Sequence, residues 1–276
     1  MQNNHTTVRT SRQWKDTVGV SKLEFHSLVS IFKNSYELKF GISLEEKIKN
    51  IGLKNAVFLS YEDIVFFGLY QLKNHLVFGS LGFTFGTDGS NAQRTFKMFI
   101  EVISYGLKEE GAMPMRTFSS VAELQELVNK AEDITIDGFE IPIQRPENQK
   151  LNKGTYSGKK KRHMIKGLVF SNCLKRIIFL SSIFLGSKHD YSILKEVCDP
   201  KYAWFQYCTV RLDLGFKGFK TEYMYDKVSM PYPKKRVKKG EPKFEFTPEQ
   251  KEYNREQSRI RVGVEHSIGG MKRYRI

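Results

Sequence analysis

The hydrophobic rhythm of the chain changes near residue 133. Before that point apolar residues come in clusters and long runs. After it they alternate. Residues 1–56 mix short apolar clusters with Lys and Glu, which predicts loosely amphipathic helices. In SYED, Ser60 reads as a helix N-cap with the acid Asp63 at the third position, and IVFFGLYQLKNH is apolar enough for a buried helix. LVFGSLGFTFGTDGSNAQRTFKMFIEVISYGL then reads as a short helix near 77–85, a turn at 86–89 and a second helix capped by Ser90 or Asn91. That is the cadence of a helix-turn-helix near residues 60–105, inside a helical N-terminal region 1–110. Its second helix presents Asn91, Gln93, Arg94 and Lys97, side chains able to reach base edges and phosphates. An ordinary helical hairpin fits the same pattern. Residues 111–132, with FSSVAELQELVNKAE, are predicted as a linking helix.

From residue 133 the alternation and β-branching of DITIDGFEIPI predict a strand. KRHMIKGLVFSN and KRIIFLSSIFLG are strand-like too, joined by a turn at NCLK, so three adjacent antiparallel strands are expected. DYSILKEV reads as a short helix. CTVRLDLGF reads as a further strand ended by Gly215 and Gly218. After the basic loop MPYPKKRVKKGEPKFEF comes a final helix, capped by Thr247, with Pro248 at its first position and Gln250 completing a capping box. The expectation for 133–276 is an α/β domain on a mixed sheet.

Charge sharpens this division. Residues 1–136 hold 15 of the 45 Lys and Arg and 15 of the 30 Asp and Glu, so the whole net charge of +15 sits in the second half. A folded unit with that bias repels itself unless it meets a polyanion, and nucleic acid is the expected one. No apolar run approaches the roughly 18 residues that span a bilayer, and the polar start MQNNHTTVRTSRQW has no signal-peptide apolar stretch. A soluble, cytoplasmic protein is expected. Cys173, Cys198 and Cys208 form neither a disulfide framework nor a CxxC pattern and read as small buried hydrophobes in a reducing cell.

Three carboxylates occupy suggestive positions: Asp137 within the first strand, Asp213 at the end of the strand after the short helix, and Glu265 in the last helix. They lie 76 and 52 residues apart, yet a central sheet can set the first two side by side and bring the helix acid opposite. Cutting a phosphodiester needs an activated water and a stabilised leaving oxygen, which two Mg²⁺ ions about 3.5–4 Å apart supply. Mg²⁺ takes oxygen ligands, so carboxylates suit it where His and thiolate would suit zinc. The plainer reading of Asp137 and Glu265 is as surface ion-pair partners.

The wording around these acids resembles a known family. DGFEIPIQRP (137–146), YSGKKKRH (156–163), GSKHD (186–190), DLGFKG (213–218) and EQKEYNREQSRIRVGVEHSIGGMKRYRI (249–276) occur in that order. Together they resemble the DDE superfamily endonuclease domain of insertion-sequence transposases, relatives of Harbinger-type nucleases, over residues 133–276. Five blocks in order are specific where one alone is weak. The region 60–105 resembles the helix-turn-helix that precedes this domain.

The resemblance implies an RNase H-like catalytic domain with Asp137, Asp213 and Glu265 as catalytic acids and metal ligands. Asp190, in the His-Asp block, is implied as an auxiliary acid and is the rival of Asp213 for second place. His189 either orients a carboxylate, touches phosphate or merely packs. Arg261, Glu265 and Lys272 fall on one helical face, so the two cations would flank the acid toward phosphates. The plain alternative is an exposed Arg–Glu pair. Gly263, Gly269 and Gly270 each weaken this helix by about 1 kcal/mol relative to Ala. The domain is read as cut short at its C-terminus, because the chain stops soon after the motif, and that leaves its activity open.

Two basic runs complete the picture. Lys159, Lys160, Lys161, Arg162 and His163 in one, and Lys234, Lys235 and Arg236 in the other, are expected along bound DNA, as is Lys217. A nuclear localisation signal or a solvated loop are the other readings of PKKRVKK. Tyr156, Phe170, Phe216 and Phe219 are expected mainly in the core. The function expected is a transposase, a Mg²⁺-dependent endonuclease and strand-transferase (Mn²⁺ substituting) acting on double-stranded DNA at element ends and target. A homo-oligomer on DNA in the nucleoid, or in the nucleus of a eukaryotic host, goes with it. The alternative is an inactive or domesticated DNA-binding protein of the same descent. A translational RNA-binding protein would explain the charge but not the ordered acidic blocks.

Overall fold

Short polar side chains set the helix starts in the N-terminal half. Thr10, Ser21 and Ser43 each accept a hydrogen bond from the backbone N–H three residues on, while Gln13, Glu24 and Glu46 bond back to the cap. These reciprocal boxes satisfy donors that a helix end otherwise leaves unmet. They open α1 (Ser11–Val18), α2 (Lys22–Phe40) and α3 (Leu44–Ile51). The computed structural model describes residues 4–52, 57–129, 133–206, 208–234, 237 and 244–274. The chain divides into two compact units, Met1–Met113 with Gly270–Ile276, and Pro114–Gly269.

In the first unit α4 (Tyr61–Asn74) starts at the Ser60 cap, as its sequence predicts. The short α5 (Phe78–Phe85) ends at a left-handed Gly86, and α6 (Gly89–Glu109) follows after a tight turn. The α6 cap is Asp88, whose carboxylate accepts from the Asn91 N–H, so the expected caps Ser90 and Asn91 lie inside the helix. Asp takes the role because an anion also favours the positive end of the helix dipole. Phe25, Phe32, Tyr36, Phe66, Phe67 and Phe99 fill the core of this unit. The helices α4 and α6 close on each other at Gly68, where an added Cβ would stand 2.2 Å from a ring carbon of Phe99.

The second unit is a mixed sheet with helices. Its elements are α7 (Val121–Asn129), β1 (Asp133–Pro142), α8 (Gln149–Thr155), β2 (Tyr156–Ser157), β3 (Arg162–Asn172), β4 (Ile177–Leu180), β5 (Phe184–Leu185), α9 (Asp190–Val197), β6 (Thr209–Arg211), α10 (Phe219–Glu222), β7 (Val228–Ser229) and α11 (Pro248–Met271), whose last two residues fall in the first unit. The strand order is β2-β3-β1-β6-β7, with β4 and β5 also pairing β3. Neighbours β1 and β3 are antiparallel, as are β3 and β4, whereas β1, β6 and β7 run parallel. The three-strand antiparallel set and the mixed sheet agree with the alternation in the sequence.

Some details differ. The segment 111–132, expected to link, is helical over Val121–Asn129, and Leu124 and Val128 are fully buried in the core of the second unit; 130–132 lie outside the described residues. The strand expected through 208–216 is only Thr209–Arg211, because the chain turns into a 3-10 helix at Leu214–Phe216. The last helix starts as expected, with Thr247 and Gln250 exchanging backbone and side-chain hydrogen bonds. Of the cysteines, Cys198 and Cys208 are buried, but Cys173 is exposed, near the turn between β3 and β4. Burial pushes the Cys208 thiol up to about 12, which keeps it uncharged. Phe170, Phe216 and Phe219 are core residues; Tyr156 is exposed.

Gly68→Ala is expected to lower the urea midpoint of unfolding, at a cost of about 1–3 kcal/mol, because the Phe99 ring must move. Combining it with Phe99→Leu should recover part of the loss. Additive losses in the double variant would contradict this account of the contact.

Candidate active site

Two pentads with the same alternation meet at the centre of the sheet: DITID (133–137) on β1 and TVRLD (209–213) on β6. The parallel register sets Asp133 beside Thr209, Ile134 beside Val210 and Thr135 beside Arg211. The strand pairing ends there, and two residues past it Asp213 caps the 3-10 helix, close enough for its charge to act on Asp137. Side chains alternate across a sheet, so Ile134, Ile136, Val210 and Leu212 share the face turned to the core, all buried. Asp133, Thr135, Asp137 and Arg211 alternate to the other. The pairing is locked by Arg211, which donates from Nε and Nη2 to Asp133 Oδ2 at 3.0 and 2.8 Å. Over this polar face lies α11: Gln257, Ser258 and Arg261 line a cleft with Thr135 and Arg211.

Each acid is steadied by a backbone amide. The Gly138 N–H donates to Asp137 Oδ1 at 2.8 Å, and the Gly215 N–H donates to Asp213 Oδ1 at 2.8 Å. A third acid, Asp190, arrives on the first turn of α9. Its carboxylate lies against Gly138, where an added Cβ would be 2.7 Å from Asp190 Cγ. From β3, Lys166 reaches two acids, Glu140 Oε1 at 3.2 Å and Asp190 Oδ1 at 3.3 Å.

The electrostatics report the crowding. Burial raises the Asp137 carboxyl from its ordinary 3.8 to about 6; the Gly138 amide and Arg261 oppose the rise, and the negative charges of Asp213 and Asp190 add to it. Arg261 is held more firmly protonated, first by its hydrogen bond to Glu265 and further by the charges of Asp137 and Asp213, with burial opposing. Glu265 is exposed and paired with Arg261 at 2.9 Å.

The sequence-derived acids therefore separate into two groups. Asp213 and Asp190 stand near enough to Asp137 for their charges to raise its carboxyl, and Arg261 lies within reach of the charges of Asp137 and Asp213. Glu265 is one helical turn away, engaged by Arg261. Among the described residues no three Asp, Glu, His or Cys side chains come close enough to hold a metal ion. Asp137 and Asp213 by themselves still suit a hard divalent cation, which uses one or two protein carboxylates with water and phosphate.

Comparison with known proteins identifies the family. A model of the DDE superfamily endonucleases matches residues 136–276, more than half of the chain. The chain belongs to the DDE superfamily of endonucleases. It is similar to a probable transposase for insertion sequence element IS702 from Microchaete diplosiphon, 26% identical over 270 residues that cover 97% of this chain and 86% of the relative. No solved structure matches it.

The basic residues of this DDE endonuclease are distributed over both units. Lys159, Lys160 and Lys161 are exposed on the turn between β2 and β3, where Lys161 takes a left-handed conformation with φ 55°, and Arg162 is exposed at the start of β3. His163 is half-buried, its Nδ1 3.0 Å from Thr155 Oγ1. Lys217 and Lys234 are exposed, while Lys235 and Arg236 lie outside the described residues. Lys272 is exposed and falls in the first unit, as do Arg94 and Lys97, exposed on α6. Asn91 is half-buried and donates to Thr87 Oγ1 at 2.8 Å, which withdraws it from the exposed set. His189 is exposed and caps α9 through its backbone alone. Sequence reasoning missed Lys166, Glu140 and Gly138. The matched pentads were a readable signal for the Asp137–Asp213 pairing; nothing local marked Lys166.

The raised Asp137 carboxyl fixes the sign of a stability effect. The folded chain holds this proton more tightly than the unfolded chain, so stability falls as pH rises from about 4 to 6, and the penalty is complete above that window. Asp137→Asn should therefore stabilise the protein at pH 7.5, on the order of 1–3 kcal/mol, with the gain vanishing near pH 4. Urea midpoints at the two pH values check this; equal midpoints for both proteins at pH 7.5 would contradict it.

Proposed function

We propose that this chain is the transposase of a mobile element, a divalent-metal-dependent DNA endonuclease and strand-transferase. The observation that carries the reading is the closeness of Asp137, within β1, and Asp213, just past the end of the parallel neighbour β6, with the charge of Arg261 acting on Asp137 and the charges of both acids acting on Arg261. Family membership gives that pair its chemistry. The strand order supports an RNase H-like domain: antiparallel β4, β3 and β1, followed by β6 and β7 parallel to β1.

Asp137 and Asp213 would hold the metal, Mg²⁺ with Mn²⁺ as a substitute and two ions in the full site, with Glu265 as the third acid. A bound divalent cation supplies an activated water and neutralises charge on the leaving oxygen. The chain's own groups do the rest. The Gly138 and Gly215 amides hold the carboxylates in orientation, and Arg261 offers a cation to the scissile phosphate from α11. Lys159, Lys160, Lys161, Arg162 and Lys217 neutralise DNA phosphates, giving affinity rather than sequence readout. In the first unit, α5, the Gly86 turn and α6 act as a helix-turn-helix that presents Gln93, Arg94 and Lys97 to element ends. The free 3′ hydroxyl left by cleavage then attacks target DNA, and a homo-oligomer holds both ends together. Action on DNA places the protein in the nucleoid, or the nucleus of a eukaryotic host. None of the described helices is long and apolar enough to cross a membrane.

One observation favours a second reading, a non-catalytic DNA-binding descendant: Glu265 is tied to Arg261 rather than joined to the other acids. Nicking of element-end DNA with Mg²⁺ against EDTA separates the two. Asp137→Asn and Asp213→Asn should each reduce metal-dependent nicking at least about 100-fold while DNA binding persists. Undiminished nicking by either variant removes that residue from the site, and binding without nicking by the unaltered chain favours the second reading.

The basic turn makes its own prediction. Replacing Lys159, Lys160, Lys161 and Arg162 together by Ala should weaken binding of all DNA sequences alike and flatten the log–log salt dependence by about 3–4 units of slope. Filter binding over a range of salt measures this, and an unchanged slope excludes the turn from the DNA interface.

A further inference from the structure

Lys166 is a cation largely removed from water. Its side chain is 12% exposed, and two carboxylates compensate it. Glu140 is its direct cross-strand partner on β1, so the sheet alone fixes that half of the arrangement. Asp190 belongs to α9, so the second bond ties the start of a helix to the sheet. It does so against Gly138, the residue that follows Asp137 on β1. Gly138 has no side chain, and a Cβ there would stand 2.7 Å from both Cγ and Oδ2 of Asp190. With Oδ1 held by Lys166 and Oδ2 against Gly138, the carboxylate is fixed next to Asp137. The sharing matters as much as the contact. Because Glu140 takes part of the lysine charge, Lys166 orients Asp190 without cancelling it, and Asp137 still feels the negative charge of Asp190. Glu265, by contrast, is engaged by Arg261 and exposed.

We infer that Lys166 is a positioning residue, which through its shared bonds to Glu140 and Asp190 seats Asp190 over Gly138 as a fixed negative charge beside the Asp137–Asp213 pair, strengthening the hold of that pair on a divalent cation. The inference rests on the metal-dependent reading of the site. It makes a prediction of opposite sign to simple charge counting. Loss of a nearby cation should by Coulomb's law tighten the binding of Mn²⁺. If Lys166 positions Asp190, its loss leaves Glu140 and Asp190 as unshielded like charges, Asp190 leaves Gly138, and Mn²⁺ binding weakens.

The test is Mn²⁺ affinity of the full chain, read by the electron paramagnetic resonance of free Mn²⁺ and independent of any turnover. Lys166→Met should bind about tenfold more weakly, and Lys166→Arg should recover to within about threefold of the unaltered chain. Asp190→Asn should match Lys166→Met, and the double variant should be no worse than either, since both remove one device. Gly138→Ala keeps the lysine and displaces Asp190, so it should show the same loss and serves if Lys166→Met does not fold. Binding by Lys166→Met or Gly138→Ala as tight as the unaltered chain, or tighter, overturns the inference while leaving the metal site standing. Absence of Mn²⁺ binding by the unaltered chain overturns the metal-dependent reading and this inference with it.

Discussion

The parallel register between β1 and β6 is the constraint from which the site follows. With Thr135 beside Arg211, β6 delivers Asp213, two residues past its end, to the neighbourhood of Asp137. A slip of one residue would turn every side chain of β6 to the wrong side, burying Arg211 and Asp213 and exposing Val210 and Leu212. The fold guards against that slip twice. Val210 and Leu212 are nearly completely buried among core side chains, and Arg211 is pinned to Asp133 by two hydrogen bonds. The apolar face supplies the energy of pairing and the ion pair supplies its alignment.

Bringing carboxylates together is unfavourable without compensation, and the structure compensates them unequally. Backbone amides of Gly138 and Gly215 each support one acid. Arg261 approaches from α11 and Lys166 from β3, so two cations from different elements bracket the acids. What remains uncompensated is visible in Asp137, whose carboxyl is raised to about 6, chiefly by burial. A partly desolvated acid beside a second acid is the environment expected of a functional site, where stability is given up for chemistry. The cost is carried by a core well supplied with buried aromatics, among them Phe170, Phe179, Phe205, Phe216 and Phe219.

Much of the architecture was legible along the chain. The Ser60 and Thr247 caps and the β3–β4 pair rest on interactions between residues close in sequence, and the switch from clustered to alternating apolar residues marks the strands that β1 and β3 then pair across 22 to 38 residues. Other local signals were present but passed over: Thr10 with Gln13, Ser21 with Glu24 and Ser43 with Glu46 are capping boxes in a region that read only as loosely amphipathic. The short α8, α10 and β7 offered too few residues for a period to register. Within the segment expected as a linking helix, Leu124 and Val128 are buried against apolar partners that only the assembled sheet provides, which no local pattern announced.

The sequence by itself determined the family through five ordered blocks, the concentration of positive charge in the second half, and the identity of the acids to be weighed. Those are properties of residue type and order. The tertiary structure alone decided which acids meet. Asp137, Asp190 and Asp213 converge, while Glu265 stays with Arg261, because a helical neighbour four residues away is always within reach, whereas a partner across the fold depends on the packing of α11. It also decided the role of Lys166, whose two carboxylates lie 26 and 24 residues from it in opposite directions and become neighbours only when β1, β3 and α9 pack together.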